Sequence, residues 1–207
     1  TYKEIRGTNI EAVASDPSNP VVGQVWYNTT SNVLKGFIND PGSWSTGGNL
    51  NTARSALGDA GTQTSALAFG GAPGTKNETE SYNGTSWTEV NNLTTGREDL
   101  SGCGTQTAAL AIAGEGSGGV AGDTENWNGT NWTEVNNLST VRNKTAAAGT
   151  NTAALCFGGS PTPADTELWN GSNWTEVNAL NTGRTSNLGG VGSSTAALAI
   201  GGNPANA

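Results

Sequence analysis

Apolar residues in this chain fall in short runs separated by Gly, Asn, Thr and Ser, a pattern that predicts strands and turns and therefore an all-β fold. The clearest runs are TSALAFGG, TAALAIAG, TAALCFGG and TAALAIGG, beginning at Thr64, Thr107, Thr152 and Thr195. In the first, Leu67 and Phe69 point one way and Ala66 and Ala68 the other, so the strand is expected to be buried on both faces. A second kind of run, WTEV, begins at Trp87, Trp132 and Trp174, each preceded by Asn-Gly and by TESY, TENW or TELW. Asn-Gly between strand patterns predicts a two-residue type I′ hairpin, with Tyr82 and Trp87 diagonally placed on one face. Nearer the start, 21–28 and 33–38 flank Thr29-Thr30-Ser31-Asn32 and read as two strands joined by a turn. Asn39-Asp40-Pro41-Gly42 is a second turn leading into Ser43-Trp44. Residues 1–20 are polar, contain Pro17 and Pro20 and keep no period, which marks them as an extended N-terminal attachment segment.

These runs recur. Trp44, Trp87, Trp132 and Trp174 are each followed six residues later by Leu50, Leu93, Leu138 and Leu180, which stand 43, 45 and 42 residues apart. Each copy then passes through Arg54, Arg97, Arg142 or Arg184, a Gly-rich turn and the Ala/Leu strand. Four short strands in about 43 residues is the size of one β-propeller blade. The order Arg54, Gly70-Gly71, Tyr82, Trp87 resembles that of the kelch-repeat family. The chain departs from that pattern in a shorter Tyr-to-Trp spacing, Ala113 in place of a Gly, and a missing half-repeat at each end. The resemblance implies that 21–207 form a kelch-like β-propeller, with repeats near 50–92, 93–137, 138–179 and 180–207. The last repeat stops after its second strand, while 33–49 carry what resembles a third and fourth. Four four-stranded blades are therefore expected, the fourth closed by N- and C-terminal strands, which leaves no free sheet edge. A fragment of a larger propeller, or completion by a neighbouring subunit, are the alternatives.

Two stretches vary between copies. The loop after the Gly-Gly is seven, nine or six residues long, and without it every whole repeat has 36 residues. The other follows the arginine: Ser55-Ala56-Leu57, Glu98-Asp99-Leu100, Asn143-Lys144-Thr145 and Thr185-Ser186-Asn187. In a four-stranded meander both stretches emerge on the same rim, and loops on a rigid scaffold carry recognition. Lys76, Glu98, Asp99, Asn143, Lys144, Thr185 and Asn187 are the candidate ligand-binding residues of this rim. Arg54, Arg97, Arg142 and Arg184 have two readings. One is a positive ring at the axis, superficially similar to the arginine cluster of sialidase propellers. The other is a structural ladder tied to Glu80, Glu125 and Glu167 or to Glu89, Glu134 and Glu176.

Composition narrows the function. The chain has 207 residues, no His, 9 Lys and Arg against 17 Asp and Glu, and a net charge of −8. No basic cluster offers itself to a phosphate backbone, so nucleic acid is not an expected partner. No apolar run reaches the ~20 residues of a membrane-spanning helix, so membrane insertion is not expected. The absence of His removes His-dependent triads and most zinc and copper chemistry. Neighbouring Glu98 and Asp99 would project to opposite faces of a strand and make a poor glycosidase pair. With no nucleophile beside a base, the expectation is no enzyme, no metal and no cofactor. Cys103 and Cys156 stand where sister copies carry Ala or Val and are expected to be buried free thiols.

The phrase Asn19-Pro20-Val21-Val22-Gly23-Gln24-Val25-Trp26-Tyr27-Asn28, continuing through Thr29-Thr30-Ser31-Asn32-Val33-Leu34-Lys35, is similar to segments of structural and tail-fibre proteins of tailed, particularly marine, bacteriophages. That likeness implies a virion location, other tail proteins as partners, a homo-oligomer, and attachment to a host surface glycan or protein. A purely architectural tail protein and a secreted, extracellular bacterial lectin or adhesin are the competing readings.

Overall fold

The computed structural model describes residues 10–21, 23–37 and 46–204, and all of its regular elements are strands. The chain divides into two compact units, 1–46 and 47–207.

In the first unit, β1 (Glu11–Val13) pairs parallel with β2 (Val25–Asn28), and β2 pairs antiparallel with β3 (Val33–Gly36). The expected hairpin is present. The attachment segment, however, contributes a strand, and the unit extends to Thr46 where the sequence placed a boundary near residue 20. Asp16 adds a side-chain tie between β2 and β3 to their backbone pairing. Its Oδ1 accepts from Trp26 Nε1 at 3.0 Å and Asn28 Nδ2 at 2.7 Å, and its Oδ2 meets Lys35 Nζ at 2.7 Å. Hydrogen bonds from Lys35, Asn28 and Trp26 hold this carboxyl down at about 2. The second turn and Trp44, in 38–45, lie outside the described residues.

The second unit contains the repeats. The first forms the sheet β4 (Gly58–Thr62), β5 (Ser65–Phe69), β6 (Thr79–Tyr82), β7 (Trp87–Val90), in that order and antiparallel throughout. The second begins with the two-residue β8 (Arg97–Glu98) and runs through β9 (Ser101–Thr105) and β10 (Ala108–Ile112). Its nine-residue loop folds as a small hairpin, β11 (Glu115–Gly116) and β12 (Gly119–Val120), paired to β8. Strands β13 (Thr124–Trp127) and β14 (Trp132–Val135) complete its sheet. The third is β15 (Ala146–Thr150), β16 (Ala153–Phe157), β17 (Thr166–Trp169) and β18 (Trp174–Val177). The fourth contributes a two-stranded sheet, β19 (Arg184–Ser193) with β20 (Ala196–Pro204).

Strands β10 and β16 are largely buried on both faces because each lies between two repeats, whereas Leu198 and Ile200 of β20, which meets a repeat on one face only, are 65% and 53% exposed. Leu67 and Phe69 of β5 cluster with Ala109, Ala111, Trp127 and Trp132 of the second repeat, and Leu110 and Ile112 cluster with Ala154, Cys156, Trp169 and Trp174 of the third. Large residues of one repeat thus meet small residues of the next. In the same way Leu155 and Phe157 meet Ala197 and Ala199. Cys103 and Cys156 are buried free thiols; burial, with Cys156 beside it, pushes Cys103 up to about 12.

The turns differ from the expectation. Tyr82 stands directly opposite Trp87, so the connection is four residues, and the aromatic rings pack 4.9 Å apart. The Asn83 side chain builds this turn: its Oδ1 accepts from the amides of Thr85 and Ser86, both at 3.0 Å. An Asx turn therefore takes the place of the two-residue type I′ turn. Asn128 and Asn170 build the same turn in the next two repeats.

Candidate functional site

Both variable stretches share one rim, because each stretch after an arginine pairs with its own Gly-Gly loop. Ser55 bridges to Ala72, Glu98 pairs with Glu115, and Asn143 bridges to Ser160. Four equivalent residues of this rim, Ala56, Asp99, Lys144 and Ser186, line one cavity of about 510 Å³, within the size range of small-ligand pockets. Leu57, Leu100 and Leu188 form its apolar surface, and Thr145 and Asn187 add a hydroxyl and an amide.

The backbone explains how four unlike side chains come together. Ala56, Asp99, Lys144 and Ser186 have φ of 51°, 54°, 56° and 41°, and Asn187 follows at 57°. The Asp99 amide donates to the Ala56 carbonyl at 2.9 Å, and the Lys144 amide to the Asp99 carbonyl at 2.8 Å, so the repeats are linked in succession at this position. Left-handed backbone at a residue with a Cβ costs about 1–2 kcal/mol, and such strain gathers at ligand sites. Glycine lacks that penalty and carries a smaller entropic one. Ala56→Gly is therefore expected to raise stability by about 0.5–1 kcal/mol in a urea titration; an unchanged or lower midpoint would show that the position stores no strain.

Lys144 Nζ lies 3.7 Å from Asp99 Oδ2, with the two side chains 42% and 27% exposed. A pair this open contributes ~0–1 kcal/mol to stability, and so both charges are available to a ligand. The cavity offers an anion, a cation, hydroxyls and an amide above a leucine floor.

No protein-family model matches the chain, and no similar curated protein is found. The site rests on its geometry.

Of the seven residues the sequence singled out, Asp99, Lys144 and Asn187 line the cavity. The other four do not. Lys76 pairs with Glu78 at 3.4 Å, Glu98 is engaged in β8, Thr185 pairs with Asn203 in the β19–β20 ladder, and buried Asn143 donates to Glu115 Oε2 at 2.9 Å. Ala56, Thr145, Ser186 and the three leucines were not among the seven, although all of them except Leu188 stand in the variable stretches. Nothing in an Ala or a Leu signals a ligand, although their repeat position did.

The arginines do not form an axial ring. The side chains of Arg54, Arg97 and Arg142 are 0% exposed and pair with Glu80, Glu125 and Glu167 at 2.9, 3.0 and 2.9 Å. This is the ladder reading with the first glutamate set. Each guanidinium also donates to carbonyls of its own repeat, Arg54 to three and Arg97 and Arg142 to two each, as Arg97 does to Ala113 and Asp123 at 2.8 and 2.6 Å. Burial draws the Arg97 guanidinium below its ordinary value and Glu125 opposes it. Among the described residues Arg184 keeps one such bond, to the Gly201 carbonyl at 2.6 Å.

Further along the inner strands a second cavity, of about 320 Å³, is lined by four matching triplets: Asp59-Ala60-Gly61, Gly102-Cys103-Gly104, Ala147-Ala148-Gly149 and Gly190-Val191-Gly192. Asp59 is wetted by this cavity yet surrounded by protein, and that enclosure raises its carboxyl above the usual range. Among the described residues no three His, Cys, Asp or Glu side chains group into a metal-holding set.

Proposed function

We propose that this chain is a non-enzymatic component of a virion tail or fibre that binds a host surface glycan or protein through its variable rim. Its repeats would form a kelch-like propeller of four blades, the last closed by N- and C-terminal strands, assembled as a homo-oligomer with other tail proteins. The observation that carries the reading is the rim cavity. One backbone position, held in the same left-handed conformation four times, presents an alkyl group, a carboxylate, an ammonium and a hydroxyl to the same space. Packing does not require four different chemistries there, and a receptor site benefits from them.

The likeness of 19–35 to phage tail segments supports the virion setting. A purely architectural tail protein and a secreted lectin or adhesin remain the competing readings, and binding separates the first of them from recognition. On an array of host surface saccharides and in a pull-down of host surface proteins, the intact chain is expected to bind. Lys144→Ala and Asp99→Ala are each expected to weaken that binding at least ~10-fold while changing stability by less than ~1 kcal/mol, as for a surface pair. A folded, assembled sample that binds neither class of receptor favours the architectural role. Binding that survives both substitutions removes the cavity from the reading.

A further inference from the structure

Asp99 and Lys144 are set side by side by the backbone. The Lys144 amide donates to the Asp99 carbonyl at 2.8 Å, and both residues hold the left-handed conformation. The neighbours of Lys144 anchor it: buried Asn143 donates to Glu115 Oε2 at 2.9 Å, and the buried Thr145 hydroxyl lies 2.8 Å from Ser101 Oγ. An ammonium and a carboxylate thus line the rim cavity together on fixed backbone, so little order is lost when a ligand arrives. At 3.7 Å the two groups are too far apart to hydrogen-bond each other, which leaves the N–H donors of one and the lone pairs of the other to a ligand.

The charge balance selects among ligands. The pair is electrically neutral, and the chain around it carries a net charge of −8. An anion that meets Lys144 also meets Asp99 and enters a field of its own sign, and a cation that meets Asp99 also meets Lys144. A neutral group that accepts and donates through adjacent atoms satisfies both without that cost. Neighbouring hydroxyls on a sugar ring do so: one accepts from Lys144 Nζ while the next donates to Asp99 Oδ2, and both bonds are charge-assisted. The rest of the lining suits the rest of such a ring. Leu57, Leu100 and Leu188 meet its C–H face, and the Ser186 hydroxyl and Asn187 amide supply partners for its remaining polar groups.

We propose that the rim cavity binds a neutral hexopyranose unit of a surface glycan, with a vicinal diol bridging Lys144 and Asp99 above the leucine floor. The inference rests on the recognition reading of the rim and names the ligand class of that same site.

Titration of the full-length ¹⁵N-labelled chain tests this, with the Asp99 and Lys144 amide signals as local reporters. Methyl glycosides of glucose, galactose and mannose are the neutral probes, and glucuronic acid and glucosamine carry a similar ring with a negative or a positive charge. At least one neutral glycoside is expected to shift both signals to saturation. Its Kd is expected to change less than ~2-fold between about 0.05 and 0.5 M NaCl, because the ligand has no charge to screen. Lys144→Met and Asp99→Ala are each expected to weaken it at least ~10-fold, as for loss of a hydrogen bond to a charged group, and so is a deoxy glycoside lacking either bridging hydroxyl. Lys76→Ala, outside the cavity, is expected to leave it unchanged. Tighter binding of glucuronic acid or glucosamine at the same signals overturns the neutral class and leaves the rim a recognition site. A host protein captured through Lys144 and Asp99 when no sugar binds does the same. Binding of a neutral glycoside that ignores both substitutions overturns the bridge. If neither sugar nor host protein depends on these two residues, the recognition reading of the rim falls with it.

Discussion

Replacing Glu125 with alanine is expected to destabilise the fold by about 3–5 kcal/mol, the range for removing one partner of a buried ion pair. Glu125 is 1% exposed, and its carboxylate accepts from Arg97 Nη2 at 3.0 Å and from the Thr94 and Thr95 amides at 2.8 and 3.4 Å. Alanine leaves a guanidinium and two amides without that acceptor inside the protein. The loss arises from the stranded charge more than from a strong bond, because desolvation offsets most of the attraction within an intact pair. The double change Arg97→Met with Glu125→Leu should therefore be less destabilising than Glu125→Ala alone. Urea titrations of both variants and of Arg97→Met, closed as a double-mutant cycle, measure the coupling. A loss below ~1 kcal/mol for Glu125→Ala would mean that water reaches the pair.

Trp132→Ala is expected to cost about 3–5 kcal/mol, as for other large core truncations. The indole is 5% exposed, lies among Leu67, Phe69, Ala109 and Ala111, and packs 5.3 Å from Trp127. Its removal opens a void between the first two repeats. Trp132→Phe tests the polar part alone. It keeps an aromatic ring but leaves Thr79 Oγ1 without its donor, the indole N–H at 3.0 Å, and is expected to cost about 1–3 kcal/mol. The ordering Ala worse than Phe, read from urea midpoints at equal slope, is the required result. Equal losses would assign the whole effect to the hydrogen bond.

The repeated strands were legible in the sequence because their signals reinforce one another. Alternating Leu and Ala in β5, β10 and β16 fix a strand with two buried faces, and Trp-to-Leu spacing fixes the unit. The shared rim was legible as well, since chain direction in a meander decides which loops neighbour one another. Side-chain direction was not. Periodicity shows that Arg54, Arg97 and Arg142 are equivalent, but says nothing of whether they face the axis or a glutamate two strands away. The Asn-Gly turns were misread because asparagine serves two mechanisms, tolerating left-handed backbone and accepting from amides two and three residues ahead. The second operates here. The recurring left-handed position was invisible because Ala, Asp, Lys and Ser share no preference for that conformation; the surrounding strands impose it. The parallel pairing of β1 with β2 also escaped, since a three-residue strand is too short to show a period.

The ion-pair ladder has a consequence for how such a chain grows. Arg54 with Glu80, Arg97 with Glu125 and Arg142 with Glu167 each lie inside one repeat, and the amides those carboxylates accept, from Asn51 and Thr52, Thr94 and Thr95, and Ser139, belong to the same repeat. A whole copy could be inserted or deleted without stranding a buried charge in its neighbours. In the proposed propeller, copy number would then be decided by shape alone, by how narrow the Gly- and Ala-rich strands are relative to the tryptophan-bearing ones. Electrostatics makes each module self-sufficient, and sterics does the counting.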